Sequence, residues 1–199
     1  MKLLNPGYES KTTGGSLYYN AKSGNCYSGQ SNATKACNFT STGIKNATTR
    51  NLISDTIYYL GGHNSFSVYP NQIYEKERGT TVYSGRPTEW TGKIALAYPS
   101  DYGYAADLGK CSQNLNNYNN STCTSNNWMK AIVAPNYGWL LTPRSGIASN
   151  VWYVYSSGGV YYNSYVYNAY GVAPVLFLNS DANVKSGTGT SSDPYQISV

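Results

Sequence analysis

The four cysteines and the single histidine are the side chains of this 199-residue sequence best suited to covalent or metal chemistry. Cys26 and Cys37 bracket YSGQSNATKA, and Cys111 and Cys123 bracket SQNLNNYNNST. Both intervals are polar, loop-like and of similar length. Four cysteines allow three pairings, and the local one, Cys26 with Cys37 and Cys111 with Cys123, is expected. In the chain-entropy model a closed loop of this size stabilises a fold by roughly 3 kcal/mol. Zinc normally takes close pairs such as C-x-x-C, and His63 stands in a Gly-Gly-His-Asn turn with no second histidine in the chain. The same scarcity leaves little with which to build a Cys–His nucleophile. Neither a metal nor a cofactor is expected.

Glycosidic hydrolysis would need two carboxylates facing one cleft, about 5 to 9 Å apart. Of the nine acids, Glu89 in TEWTG and Asp101 in YPSDYGY stand out because aromatic residues flank them. Asp101 follows Pro-Ser, however, where a carboxylate ties down a turn by accepting local backbone N–H groups. The expectation is therefore a chain that is not an enzyme. Asn179, Asp181 and Asn183 alternate oxygen ligands, but the glycine and closing glutamate of a calcium loop are missing. The E-P-N, Q-P-D and W-N-D triplets of calcium-dependent sugar binding are absent too.

Binding chemistry is more evident. Between Tyr153 and Tyr170 the side chains are only Tyr, Asn, Ser, Val, Ala and Gly. Tyrosine offers a large contact area at low entropic cost, with a hydroxyl to hydrogen-bond, and Ser, Gly and Asn adapt around it, as in antibody paratopes. The expected ligand contacts are Tyr153, Tyr155, Ser157, Tyr161, Tyr162, Asn163, Ser164, Tyr165, Tyr167 and Asn168. Trp152, Val154, Val172, Leu176 and Leu178 are expected to face inward. The ligand could be a protein or a glycan. Fourteen basic and nine acidic residues give a formal charge of +5, but the basic ones are scattered singly, which argues against nucleic acid. No apolar run approaches the roughly 18 residues of a membrane helix, so the domain itself is not expected to touch a membrane.

The elements that must position these residues are mostly strands and turns. Thr48 or Thr49 can cap a helix over about 49 to 60, with Ile53, Ile57 and Leu60 at helical spacing and Gly61-Gly62 as its stop. A second helix runs from Asn71 to Gly79, with Glu75, Lys76, Glu77 and Arg78 as a solvated face. Lys93 to Tyr98 reads as a buried strand stopped by Pro99. A long Asn-rich loop carrying Cys123 follows, and NWMKAI forms one short helical turn. GWLLTP is an inner strand, VWYVY alternates between faces, and Ser156 to Gly159 is a hairpin turn. The return strand from Val160 puts Tyr161, Asn163, Tyr165 and Tyr167 on one face. GVAPVLFL then reads as a buried strand, and the chain closes with a loop and a terminal strand.

Charged residues make up 12% of the chain, yet the mean hydropathy is −0.46, so the polarity comes from Asn, Ser, Thr and Tyr. That profile, together with the cysteines, points to an extracellular, loop-rich domain. MKLL is too short for a signal peptide, so a targeting segment is expected to lie outside this chain. The Asn-x-Ser/Thr triplets at Asn32, Asn38, Asn46 and Asn120 would matter only in a eukaryotic secretory pathway.

Read in order, WLLTPRSG, VWYVYSSGGV, YGVAPVLFLNSD and SGTGTSSDPYQI resemble the C-terminal half of a bacterial surface family common in gut Firmicutes. Upstream, LLNPGYES, GSLYYNAKSGNCY, YEKERG and TGKIALAYPSDYGYA resemble members in which this domain follows a pilin-like N-terminal helix. The resemblance implies one C-type-lectin-like domain over residues 1–199. Its fold class would be α+β, shared with formylglycine-generating enzymes and with the variable proteins of diversity-generating retroelements. It also implies display at the cell surface as an adhesin-like ectodomain or a pseudopilin, with other pilin subunits as partners in the second case. In the variable proteins, retroelement mutagenesis diversifies this C-terminal hairpin. The chain departs from the family's G-V-R-P strand by carrying Ala173 in place of the arginine.

Overall fold

A computed structural model describes residues 46–198, apart from Tyr167, Ala169 and Ser191; the Cys26–Cys37 pairing lies outside the described residues. Asn46 opens helix α1 (Ala47–Asn51) by accepting the Thr49 N–H on its side chain, but the helix ends after five residues. Thr56–Tyr59 is strand β1 instead, which corrects the helix expected over 49 to 60. Thr, Ile and Tyr lose side-chain freedom in a helix and fit a pleated surface, and here alternation outweighs the helical spacing. Tyr58 is buried while Ile57 and Tyr59 face out. Across the strand pair Tyr58 meets Trp90 of β2 (Glu89–Gly92), the rings stacked 5.4 Å apart.

Helix α2 (Pro70–Glu77) stops two residues before Gly79, as the sequence suggests, and Gln72 Oε1 accepts the Tyr69 N–H at its start. Its charged run is not wholly a solvated face. Glu77 is completely buried, accepting hydrogen bonds from both the N–H and the hydroxyl of Ser100. Ser100 belongs to helix α3 (Pro99–Tyr104), which packs on α2. Strand β3 (Ile94–Leu96) is shorter than expected because Asp101 Oδ2 takes the Tyr98 N–H and starts that helix. The turn read at Asp101 is thus a helix N-terminus.

The Asn-rich segment is more ordered than a loop. It contains a 3₁₀ turn (Leu115–Asn117) and α4 (Ser121–Ser125), whose cap Asn120 accepts the Thr122 N–H. Cys111 and Cys123 form a disulfide that reaches the core beside Leu115 and Tyr118. Replacing both cysteines with alanine is expected to cost roughly 3 kcal/mol, read as a lower urea midpoint. An unchanged midpoint would show that the bond does not brace the fold.

After α5 (Lys130–Val133) come β4 (Gly138–Pro143), β5 (Asn150–Val154) and β6 (Val160–Tyr165), an antiparallel sheet in the order β4-β5-β6. One face buries Leu140, Trp152, Val154 and Val160 against Tyr102, Leu115, Tyr118 and Val133. The expected inward placing of Trp152 and Val154 holds.

The placing of Val172, Leu176 and Leu178 does not; they are 54%, 42% and 44% exposed. In GVAPVLFL only β7 (Pro174–Leu176) pairs, with β3. Ala173 and Val175 pack against the core, so the inward set lies one residue out of step with the expectation, a slip that reverses every side chain of a strand. Proline also confines such a strand to an edge, because it cannot donate to the ladder. Strands β8 (Asn183–Ser186) and β9 (Gln196–Ser198) close the chain as a small antiparallel pair. The described residues are thus of mixed helix and strand, with short helices and small antiparallel sheets. Among them no helix is long and apolar enough to cross a membrane.

Candidate binding surface

The second face of β4-β5-β6 carries a row of aromatic rings. In register, Trp139 of β4 lies opposite Tyr153 of β5, and Tyr153 opposite Tyr161 of β6. Their ring centroids are 6.3 and 6.1 Å apart, within the range of favourable aromatic pairs. Tyr137, Tyr155 and Tyr170 widen the row: Tyr170 stacks 4.8 Å from Tyr137 and lies 4.5 Å from Trp139, and Tyr155 meets Tyr137 edge-on at 4.7 Å. Backbone bonds place Tyr170 there. The Trp139 N–H donates to Gly171 O, and the Gly171 N–H donates to Tyr137 O, so the chain runs parallel beside the start of β4. Gly138 makes this approach possible, because a Cβ on it would collide with Val133 O.

Within the row, the structure divides the expected contact residues into floor and rim. Tyr153 was expected to be exposed, but it is 8% exposed and donates its hydroxyl to Asn163 Oδ1 at 3.3 Å. Burial, and after it the Tyr170, Tyr155, Tyr161 and Tyr137 hydroxyls, push its phenol up to about 12. It is the floor, because neighbouring rings cover it from both adjacent strands and from the 170–171 segment. Tyr155 is open at 38%, and Tyr161 is half-buried with its hydroxyl donating to Asn116 O. The Tyr137 hydroxyl is shifted upward by its hydrogen bond with Tyr155 and then by burial.

The other expected contacts are spread around the hairpin. Ser157, Asn163 and Tyr165 are exposed, and Asn168 is half-buried. Ser164, also expected as a contact, is buried, its hydroxyl accepting Asn168 Nδ2, because alternation turns it away from the rim. Tyr162 points to the opposite face, against Trp152 at 5.6 Å and Phe66 at 5.3 Å. Tyr167 lies outside the described residues. The hairpin turn forms as read, with Tyr155 N–H donating to Gly159 O. Gly158 sits there at φ +102°, and a Cβ on it would come within 2.7 Å of Thr124 Cγ2. The Asn-rich segment therefore seats the tip without covering Tyr155. Sequence reading missed Tyr137, Trp139 and Tyr170 as members; the alternation of GWLLTP, with Leu140 inward, was the signal for Trp139.

Six rings and their hydroxyls can hold a ligand by contact and by hydrogen bonds. The most displaced carboxyl lies elsewhere. Burial pushes Glu77 up to about 8 against the pull of the two Ser100 hydrogen bonds, and Arg78 stands 3.3 Å away. Glu89 is exposed on β2, and Asp101 is engaged at the start of α3. Asn179 Nδ2 donates to Asn51 O and Asn183 Nδ2 to Asp181 O, so that segment uses its amides on its own backbone. Among the described residues no three of His, Cys, Asp and Glu cluster as metal ligands would. Comparison with family models, curated proteins and solved structures finds no match to this chain.

Proposed function

We propose that this chain is a non-enzymatic, C-type-lectin-like binding domain displayed outside the cell, contacting its ligand through the rim of the aromatic row. The observation that carries the reading is the register of Trp139, Tyr153 and Tyr161, which assembles rings from three strands into one surface around a buried floor. Floor rings fix the geometry, and the open Tyr155 and half-open Tyr137, Tyr161 and Tyr170 supply the contact area. The disulfide at Cys111 fits an oxidising compartment.

The test is a glycan and protein array probed with wild type and with Tyr155→Ala/Tyr161→Ala. Rim tyrosines of this kind typically contribute 1 kcal/mol or more each to binding, so hits should weaken about tenfold or more in the variant. Equal binding by both proteins would refute the assignment. Tyr153 is unsuitable for the comparison, because its loss would damage the floor.

A second reading, a structural pilus subunit, draws on a different feature. Val172, Leu176, Phe177 and Leu178 lie close together in sequence and are each more than 40% exposed, and apolar patches mark contact sites. Under that reading Phe177→Asp would change assembly and leave array binding intact.

A further inference from the structure

Arg144 stands just beyond β4, where its backbone bridges that of His63. Its guanidinium carbon lies 4.5 Å from the centroid of Tyr162, and its Nε donates to Asn64 Oδ1 at 2.6 Å. The ring under one face and the amide on Nε fix the planar group while leaving its two terminal nitrogens as the outward fork. Among the described residues no carboxylate pairs with it; the ion pairs formed are Arg78–Glu77, Lys93–Asp55 and Lys110–Asp107.

This cation is joined to the aromatic row. Phe66, 38% exposed, stacks on Tyr162 at 5.3 Å and meets the edge of Tyr161 at 5.9 Å. Tyr161 in turn lies 6.1 Å from Tyr155. Phe66 therefore connects the opposite faces of β6, and an unbroken series of rings leads from Tyr155 to a fixed guanidinium.

Resting on the proposed binding function, we infer that the surface takes an acidic glycan, with a sugar carboxylate held by Arg144 and neighbouring sugar rings lying on Phe66, Tyr161 and Tyr155. The apolar C–H face of a pyranose matches an exposed aromatic ring, and its hydroxyls match tyrosine and asparagine side chains. The two oxygens of a carboxylate match the two terminal nitrogens of a guanidinium end-on. One cation at one end of the series calls for one acid at one end of the ligand.

The experiment compares trigalacturonate with its carboxyl-reduced, neutral analogue by calorimetric titration. Wild type should bind the acid form at least tenfold more tightly, with the preference shrinking as salt rises. Arg144→Gln should abolish the preference while leaving the affinity for the neutral form within about twofold. Arg144→Lys, which keeps the charge without the fork, should retain only part of it. Equal affinity of wild type for the two sugars, both weakened by Tyr155→Ala/Tyr161→Ala, would overturn the inference and leave the binding function standing. Failure of both sugars where an acidic peptide binds would overturn it in favour of a protein ligand. Should Arg144→Gln fail to fold, the ratio in wild type and Arg144→Lys decides.

Discussion

Trp152→Ala is expected to destabilise the fold by about 3 to 5 kcal/mol, the range for deleting a large buried aromatic. Trp152 is fully buried in the middle of the central strand of β4-β5-β6. It packs 5.6 Å from Tyr162 and 6.5 Å from His63, so one ring ties the sheet to both the hairpin and the 61–64 turn. Its removal leaves a cavity directly behind the floor tyrosine, Tyr153, which is its neighbour in the chain. Ligand binding should therefore fall with stability, whereas the rim change Tyr155→Ala should lower binding with stability altered by less than about 0.5 kcal/mol. Urea unfolding of the two variants checks this contrast. A cost below about 1 kcal/mol for Trp152→Ala would contradict the packing described.

The second large effect is one of pH. In the unfolded chain Glu77 ionises near its ordinary 4.5, and in the fold at about 8 because burial penalises the charge. Between those values the folded state holds a proton that the unfolded state has released. The stabilisation is complete below about pH 4.5 and is lost as pH rises through about 8, at up to roughly 1.4 kcal/mol per pH unit. Asp101, also raised by burial, adds a slope of the same sign. His63, held low by burial and then by Lys76, acts in the opposite direction below its ordinary 6.5. Comparing wild type with Glu77→Gln isolates the Glu77 contribution, since the other groups are common to both. Wild type should lose several kcal/mol relative to the variant between pH 5 and pH 8.5. Parallel stability curves would show that Glu77 is ionised throughout.

Much of the sheet was legible because its signals are local. GWLLTP, VWYVY and the Ser-Ser-Gly-Gly turn carry alternation and turn chemistry within a few residues, and β4, β5 and their hairpin form where these signals put them. The errors arose where a competing partner decided. Helical spacing at Ile53, Ile57 and Leu60 lost to the cross-strand stack of Tyr58 on Trp90, a contact between distant residues. Glu77 read as solvated because a sequence does not display the helix that will close over it. GVAPVLFL is apolar on both sets of alternate positions, so nothing local fixed which set turned inward. For the binding surface, the hairpin's composition pointed to the right strands but not to its depth. Whether a tyrosine is floor or rim depends on Trp139, Tyr137 and Tyr170, which arrive from β4 and from the chain beyond the hairpin.

The most direct measurement of the central claim is hydrogen exchange of the protein with and without the strongest ligand found on the array. Protection concentrated in residues 137–139, 153–163 and 170–171 is the predicted result. Protection at residues 172–178, with exchange around Tyr155 and Tyr161 unchanged, would place the ligand on the apolar strip and contradict the account.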